Sequence, residues 1–289
     1  MFGRDATMKL KNAYAPAVYA RSNARSVALK ELWDIILDFP AVLRLAHLDM
    51  ALRYRRTVLG PFWVTISTGL MIVAIGIVYG TIFGTQNGLG IGSYLHYFAA
   101  GTITWNYISS MLNESASVFI ANRQLLKVLP TSPLTHLMRM VSRNLVILFH
   151  NAIFLVILWI TLGCPLTVAS WLVIPGLFLV VLTLVSWSIL IAIVCTRYRD
   201  GGPLVASVLQ LSFLITPVIW PTTALRSSKA WWILDINPFY HLIEIVRAPL
   251  LGDQPMLLNW AVAIVIAALS VLLAAKVYMD CRSKLIYWL

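Results

Sequence analysis

The chain has 289 residues, of which 60% are hydrophobic and 11% charged, with a mean hydropathy of +0.83 and a formal net charge of +11. A soluble domain carries about 25% charged residues, so this composition excludes an ordinary soluble protein and points to an integral membrane one. Nor does the charge indicate a nucleic-acid binder. Ten of the 22 basic residues fall within residues 1–60 and the rest flank apolar segments, a topology signal and an affinity for anionic lipid headgroups.

In chain order, residues 1–25 form an extension with no pattern of their own. Residues 27–38 are helix-permissive, and Pro40 breaks or restarts that helix. Beyond it, Ala41, Leu45, Leu48 and Leu52 recur at four-three-four spacing, which predicts an apolar helical face. Arg44, His47, Asp49, Arg53 and Arg56 take the other faces, with Asp49 and Arg53 spaced for an i,i+4 pair. The segment 26–60 therefore reads as a basic amphipathic helix lying in the headgroup plane, either a topology anchor or a contact surface. Arg53, Arg55 and Arg56 end just short of Pro61, where the first apolar run opens. The first 60 residues lack an apolar h-region, so that run is the expected insertion signal.

Apolar runs follow at 61–84, 93–113, 144–163, 170–195, 203–220 and 257–279. They are long enough for helices to cross a bilayer, and none alternates as a barrel strand would. The expected fold is an all-α polytopic membrane protein with six transmembrane helices, Pro217 and Pro221 interrupting the end of the fifth. The near-side segments carry nineteen Lys and Arg, against Arg226, Lys229 and Arg247 on the far side. Both termini are thus expected in the cytoplasm. In the first run Gly76, Gly80 and Gly84 repeat every fourth residue, allowing close packing within one subunit or between two. The second carries Thr102, Asn106, Ser109 and Asn113 on one face, near Tyr94 and Trp105. Such a stripe suits an uncharged path for a sugar chain, or interhelical hydrogen bonds. Cys164, Cys195 and Cys281 have no metal or redox spacing and read as small buried hydrophobes.

Segment 221–256 is more than a loop. Asn237 is placed to cap a helix opened by Pro238. Phe239, Leu242, Ile243, Val246 and Leu250 then form one face, and His241, Glu244 and Arg247 the other. Trp231 and Trp232 precede them as interfacial residues. Helices dipping back toward the membrane, as a lid or a structural cover, are the expectation.

The runs 61–113, 144–196 and 201–225 hold no Asp, Glu, Lys or Arg. This argues against ion-driven transport and against intramembrane acid–base catalysis. No Lys follows a Gly, so a phosphate-cradling Gly-x-x-x-x-Gly-Lys-Ser/Thr loop is absent. There is no metal-binding His pair and no Gly-x-Ser-x-Gly elbow. Any uphill transport must draw its energy from a partner.

Three ordered blocks, "LDMALRYRRTVLGPFW", "TRYRDGGPLVASVLQLSFLITPVIWP" and "INPFYHLIEIVRAPLLG", resemble those of permease subunits in bacterial ABC exporters of polysaccharides, the O-antigen, capsule and teichoic-acid group. The likeness runs from about residue 45 to 280. It implies a type-2 ABC exporter fold: a homodimer of six-helix subunits in the bacterial inner membrane, paired with two cytosolic P-loop ATPase subunits that bind ATP and Mg. The chain itself would hold no cofactor and no metal. The implied cargo is an undecaprenyl-pyrophosphate-linked glycan, contacted at its diphosphate by Arg53, Arg55 and Arg56, since arginine binds phosphate bidentately. The stripe would line the channel, and Arg123, Lys127, Arg197, Arg199 and Asp200 would meet the ATPases. Trp231, Trp232, Phe239, His241, Glu244 and Arg247 would form an extracytoplasmic gate within 221–253, leaving 61–280 as the permease domain and 281–289 as a cytoplasmic tail. A permease for a drug or small lipid should have a greasier path; a scaffold protein should associate with no ATPase.

Overall fold

The computed structural model describes residues 31, 33, 39–53, 55, 57–60, 62–84, 90–128, 131–163, 166–223 and 231–289. Arg56, Pro61, Cys164, Arg226, Lys229 and most of 27–38 lie outside the described residues, as does the side chain of Arg53. The described residues are all helix and connection. They comprise α1 (Phe39–Arg53), α2 (Phe62–Tyr79, continued by a π-helical turn Gly80–Gly84), α3 (Gly90–Ser115), the short α4 (Val118–Ala121) and α5 (Arg123–Val128), and α6 (Pro133–Leu162). A 3-10 turn (Val168–Leu172) leads into α7 (Val173–Arg197), followed by α8 (Gly201–Ile215), α9 (Trp232–Ile236), α10 (Pro238–Leu250) and α11 (Leu257–Trp288).

Each apolar run corresponds to a helix. Four are long and apolar enough to cross a membrane: Phe62–Ile82, Pro133–Leu162, Val168–Arg197 and Leu257–Leu285. Their outer faces expose residues such as Leu70, Val78, Phe178, Leu269 and Leu272, the surface an apolar solvent requires. The protein is therefore an all-helical, multi-pass membrane protein. Two helices differ from this pattern. α3 is 26 residues long but carries a polar series including His96, Thr102, Asn106 and Asn113. α8 has 15 residues, roughly 22 Å at the helical rise. It stops at Ile215 because Pro217 disfavours helical geometry at Thr216, which is extended.

Two expected boundaries move. The third run, placed at 144–163, begins eleven residues earlier, at Pro133. Leu134, Leu137, Met140 and Val141 are buried, so tertiary packing prolongs the helix through its charged first turns. The last helix continues through the expected tail to Trp288.

The centre of the bundle is α3, which packs on α2, α6, α7, α8 and α10. One core cluster joins Ile72, Tyr94, Phe98 and Leu155; a larger one joins Ile108, Met111, Leu137, Leu184, Ala192 and Ile243. The glycine repeat is used within the chain. A β-carbon at Gly76 would strike Leu95, and one at Gly80 would come 3.3 Å from Ile91 and Tyr94. The closest backbone approach lies elsewhere, at Gly176 of α7, where a β-carbon would sit 2.5 Å from the Ile245 carbonyl oxygen.

The N-terminal helix carries a packed face that its sequence reading did not name. α1 packs on α6 through Val42, Ala46 and Met50, which are buried. Leu45, Leu48 and Leu52, the face expected to meet the headgroups, are exposed. Both faces are apolar enough to pack, and α6 supplies the complementary charge on only one side. Asp49 is held by Arg139 and Arg143 of α6; the expected Asp49–Arg53 pair falls on a side chain outside the described residues.

Candidate functional site

At one end of α3 a charged pair is enclosed by the fold. Asn237 accepts from the backbone N–H groups of Phe239 (3.0 Å) and Tyr240 (3.4 Å), and Pro238 opens α10 at its first position. This cap sets α10 against α3, α7 and α11. The His241, Glu244 and Arg247 face, expected as the polar side of a lid, is thereby turned inward. Arg247 has no exposed surface. Its Nε and Nη2 donate to Glu244 Oε2 at 3.0 and 2.5 Å, and its Nη1 to the Pro217 carbonyl at 2.6 Å. The guanidinium lies 4.1 Å from the centre of the Tyr97 ring, a cation–π arrangement that gains strength when dry. Its charge at this position qualifies the inference from charge-free apolar runs. Those runs are uncharged as read, yet a neighbouring helix brings an arginine against Tyr97 and Gly101 of the second one.

His241 is also internal, 2.9 Å from both Asn259 Oδ1 and the Asp235 carbonyl oxygen. Of the other expected gate residues, Trp231 and Trp232 are exposed, and Phe239 joins an aromatic cluster 5.5 Å from Trp105 and 5.6 Å from Trp187. Trp232 and Phe239 also border an apolar cavity of about 280 Å³ with Ser212, Ile215 and Ile236.

The stripe on α3 runs from interior to exterior. Tyr94, Thr102 and Trp105 are buried, Asn106 and Ser109 are half-buried, and Asn113 is exposed. Tyr94 donates to the Ile219 carbonyl at 2.6 Å, and Trp105 packs between Phe213 and Phe239. Ser109 and Asn113 bond to carbonyls of their own helix. Asn106, Ser109 and Asn113 thus form the open part of the series.

At the opposite end of α3, Glu114 accepts from Arg143 (2.5 Å) and from Asn144 (2.9 Å). Asp49 of α1 accepts a two-pronged contact from Arg139 and approaches Arg143 at 3.6 Å. These four groups line a polar cavity of about 270 Å³ together with His136 and Asn122. The network ties α1, α3 and α6 at the corner where α4 and α5 begin. Close to it in the chain ends, Glu31 is gripped by Arg282 and by Tyr278 at 2.6 Å, and Arg197 stacks on Trp288. Arg123, Lys127, Arg197, Arg199 and Asp200 are all exposed. Arg55 is exposed too, just beyond α1.

The sequence reading missed both networks as networks. The Glu244–Arg247 spacing of three was visible. So were Asp49, Glu114, Arg139 and Arg143 as separate charges. What no spacing rule supplies is their meeting across helices.

An all-helical multi-pass bundle with charged clusters at both ends of a polar-striped helix has the anatomy of a membrane transport subunit. Residues 41–251 match the ABC-2 type transporter family, and the chain belongs to it. It is similar to an O-antigen export system permease protein RfbA of Klebsiella pneumoniae, 24% identical over 225 residues that cover 75% of this chain and 82% of that one. A second such Klebsiella pneumoniae permease is 25% identical over the same shares. The permease of that name from Myxococcus xanthus is 24% identical over 218 residues, 72% of this chain and 78% of the relative.

Proposed function

We propose that the chain is the channel-forming subunit of an ATP-driven exporter that moves an undecaprenyl-pyrophosphate-linked polysaccharide, such as an O-antigen, across the bacterial inner membrane. Two copies pair, and two cytosolic P-loop ATPase subunits bind ATP and Mg and drive the cycle. Six helices span the bilayer, α3 and α8 joining the four more apolar ones, with both termini cytoplasmic. α9 and α10 form re-entrant extracytoplasmic elements. The observation that carries this reading is the match to O-antigen export permeases over most of the chain. The half-open amide and hydroxyl series Asn106, Ser109 and Asn113 supports it, because hydrogen-bonding groups without charge suit a neutral glycan better than a greasy cargo. The exposed Arg123, Lys127, Arg197, Arg199 and Asp200 are then docking residues for the ATPases.

Deleting the gene should abolish surface polysaccharide, and the tagged permease should co-purify with a P-loop ATPase whose hydrolysis it stimulates. Intact surface glycan with accumulation of a drug or lipid would overturn the cargo; no ATPase association would overturn the exporter. For Arg53, Arg55 and Arg56, replacing all three by Lys keeps the sign of the charge but removes the bidentate fork. Reduced export with unchanged topology is expected, and normal export would remove them from diphosphate recognition.

A further inference from the structure

We propose that residues 216–221, the non-helical segment after α8, are a movable plug lying across the outer end of α3, and that Arg247 is the positioning residue that latches it shut. The inference rests on the export reading above and deepens its gate.

Backbone that leaves the helix within a membrane protein must find its hydrogen bonds inside the protein. Pro217 and Pro221 have no N–H to give, and the segment's carbonyls are met almost wholly by side chains. Tyr94 donates to Ile219 at 2.6 Å. Tyr97 donates to Pro217 at 3.1 Å and to Trp220 at 3.2 Å. Arg247 donates to Pro217 at 2.6 Å, and the amide of Asn237 reaches the Thr216 hydroxyl at 2.9 Å. Val218 is fully buried and rests on Gly101, where a β-carbon would lie 3.7 Å from its Cγ1. The segment thus covers α3 from Tyr94 to Gly101, the residue before Thr102 of the stripe.

Helical hydrogen bonds break only with the helix; bonds to tyrosine hydroxyls and a guanidinium exchange by side-chain rotation. A strap held this way has two available arrangements. Arg247 joins the ties at Pro217: it bonds the Pro217 carbonyl, covers the ring of Tyr97, which bonds the same carbonyl, and is itself restrained by Glu244. A buried ion pair adds little net stability relative to an apolar pair, and its best-attested use is to specify one arrangement over another.

The decisive experiment restrains the segment without weakening it. In the assembled exporter, with Cys164, Cys195 and Cys281 replaced, Gly101→Cys and Val218→Cys are joined by a short bis-methanethiosulfonate. ATP-driven glycan export into inverted vesicles is followed together with ATP hydrolysis. We expect export to fall to background on cross-linking and to return with dithiothreitol. Undiminished export by the cross-linked protein would overturn the plug, whereas a parent complex that never exports glycan would overturn the export reading itself. For the latch, purified permease in proteoliposomes without ATP is tested for leakage of a small fluorescent solute. Arg247→Met should leak several-fold faster than the parent, and Arg247→Lys, which keeps a donor for Pro217 and a charge for Glu244, should restore much of the seal. A folded Arg247→Met protein as tight as the parent would overturn the latch, and if that variant does not fold, the cross-link alone decides.

Discussion

The two ends of α3 are gripped by arginine–carboxylate networks of opposite construction. Toward the Tyr97 end a single arginine is fully enclosed, with its partner carboxylate 19% exposed, and α10, α3 and the 216–221 segment meet at it. At the Glu114 end, Asp49, Arg139, Arg143 and Glu114 keep between 15% and 30% of their side-chain surface and link three helices. The chemistry is the same and the consequences differ. Because Arg247 is sealed, losing Glu244 strands a charge that water cannot reach, whereas losing Arg247 leaves a partly accessible carboxylate. In the half-wet network each member keeps access to water, and Asp49, Arg143 and Glu114 each have a second partner, so it can lengthen and reform.

Substitutions can break or sharpen this contrast. The largest effect is expected from Glu244→Leu, which should destabilise the protein by about 3–5 kcal/mol by leaving the sealed Arg247 charge unpaired; thermal unfolding in detergent measures it. The double variant Glu244→Leu with Arg247→Met should recover a large part of that loss, because both charges then leave the interior together. Equal instability of single and double variants would show that the lost bond to Pro217 costs as much as the stranded charge. Next, Gly176→Ala should cost about 1–3 kcal/mol as α10 is pushed off α7, since the obstructing atom is the backbone carbonyl of Ile245. At the Glu114 end, Asp49→Asn should cost about 1.5–3 kcal/mol, the range for hydrogen bonds to charged groups, and less at high salt. The swap Asp49→Arg with Arg139→Asp should restore part of it. The smallest change in stability, within about 0.5 kcal/mol, is expected for Arg123→Ala with Arg199→Ala, both exposed. That variant should nonetheless show reduced stimulation of the partner ATPase.

Much of the fold is legible in the sequence because runs of apolar residues have one stable solution in lipid. The Asn237–Pro238 start of α10 was equally legible, since a cap is local chemistry between neighbours in the chain. α1 was harder. Its leucine face was read for the headgroups, but Val42, Ala46 and Met50 form a second stripe, and only the presence of α6 shows that this one packs within the chain. The site divides in the same way. The stripe on α3 was visible as a period, while its partition into a buried end at Thr102 and an open end at Asn113 depends on Phe213, Phe239 and the 216–221 segment.

The sequence by itself determined that this is a helical membrane protein, where its apolar segments lie, and which family blocks it carries. These follow from composition, period and order along the chain, all of which are one-dimensional. Only the tertiary structure decided that Asp49 meets Arg139 and Arg143 of α6, and that Arg247 is sealed against Tyr97 and Pro217. A charge's partner and its contact with water are set by what packs around it, and that is settled across helices far apart in the chain.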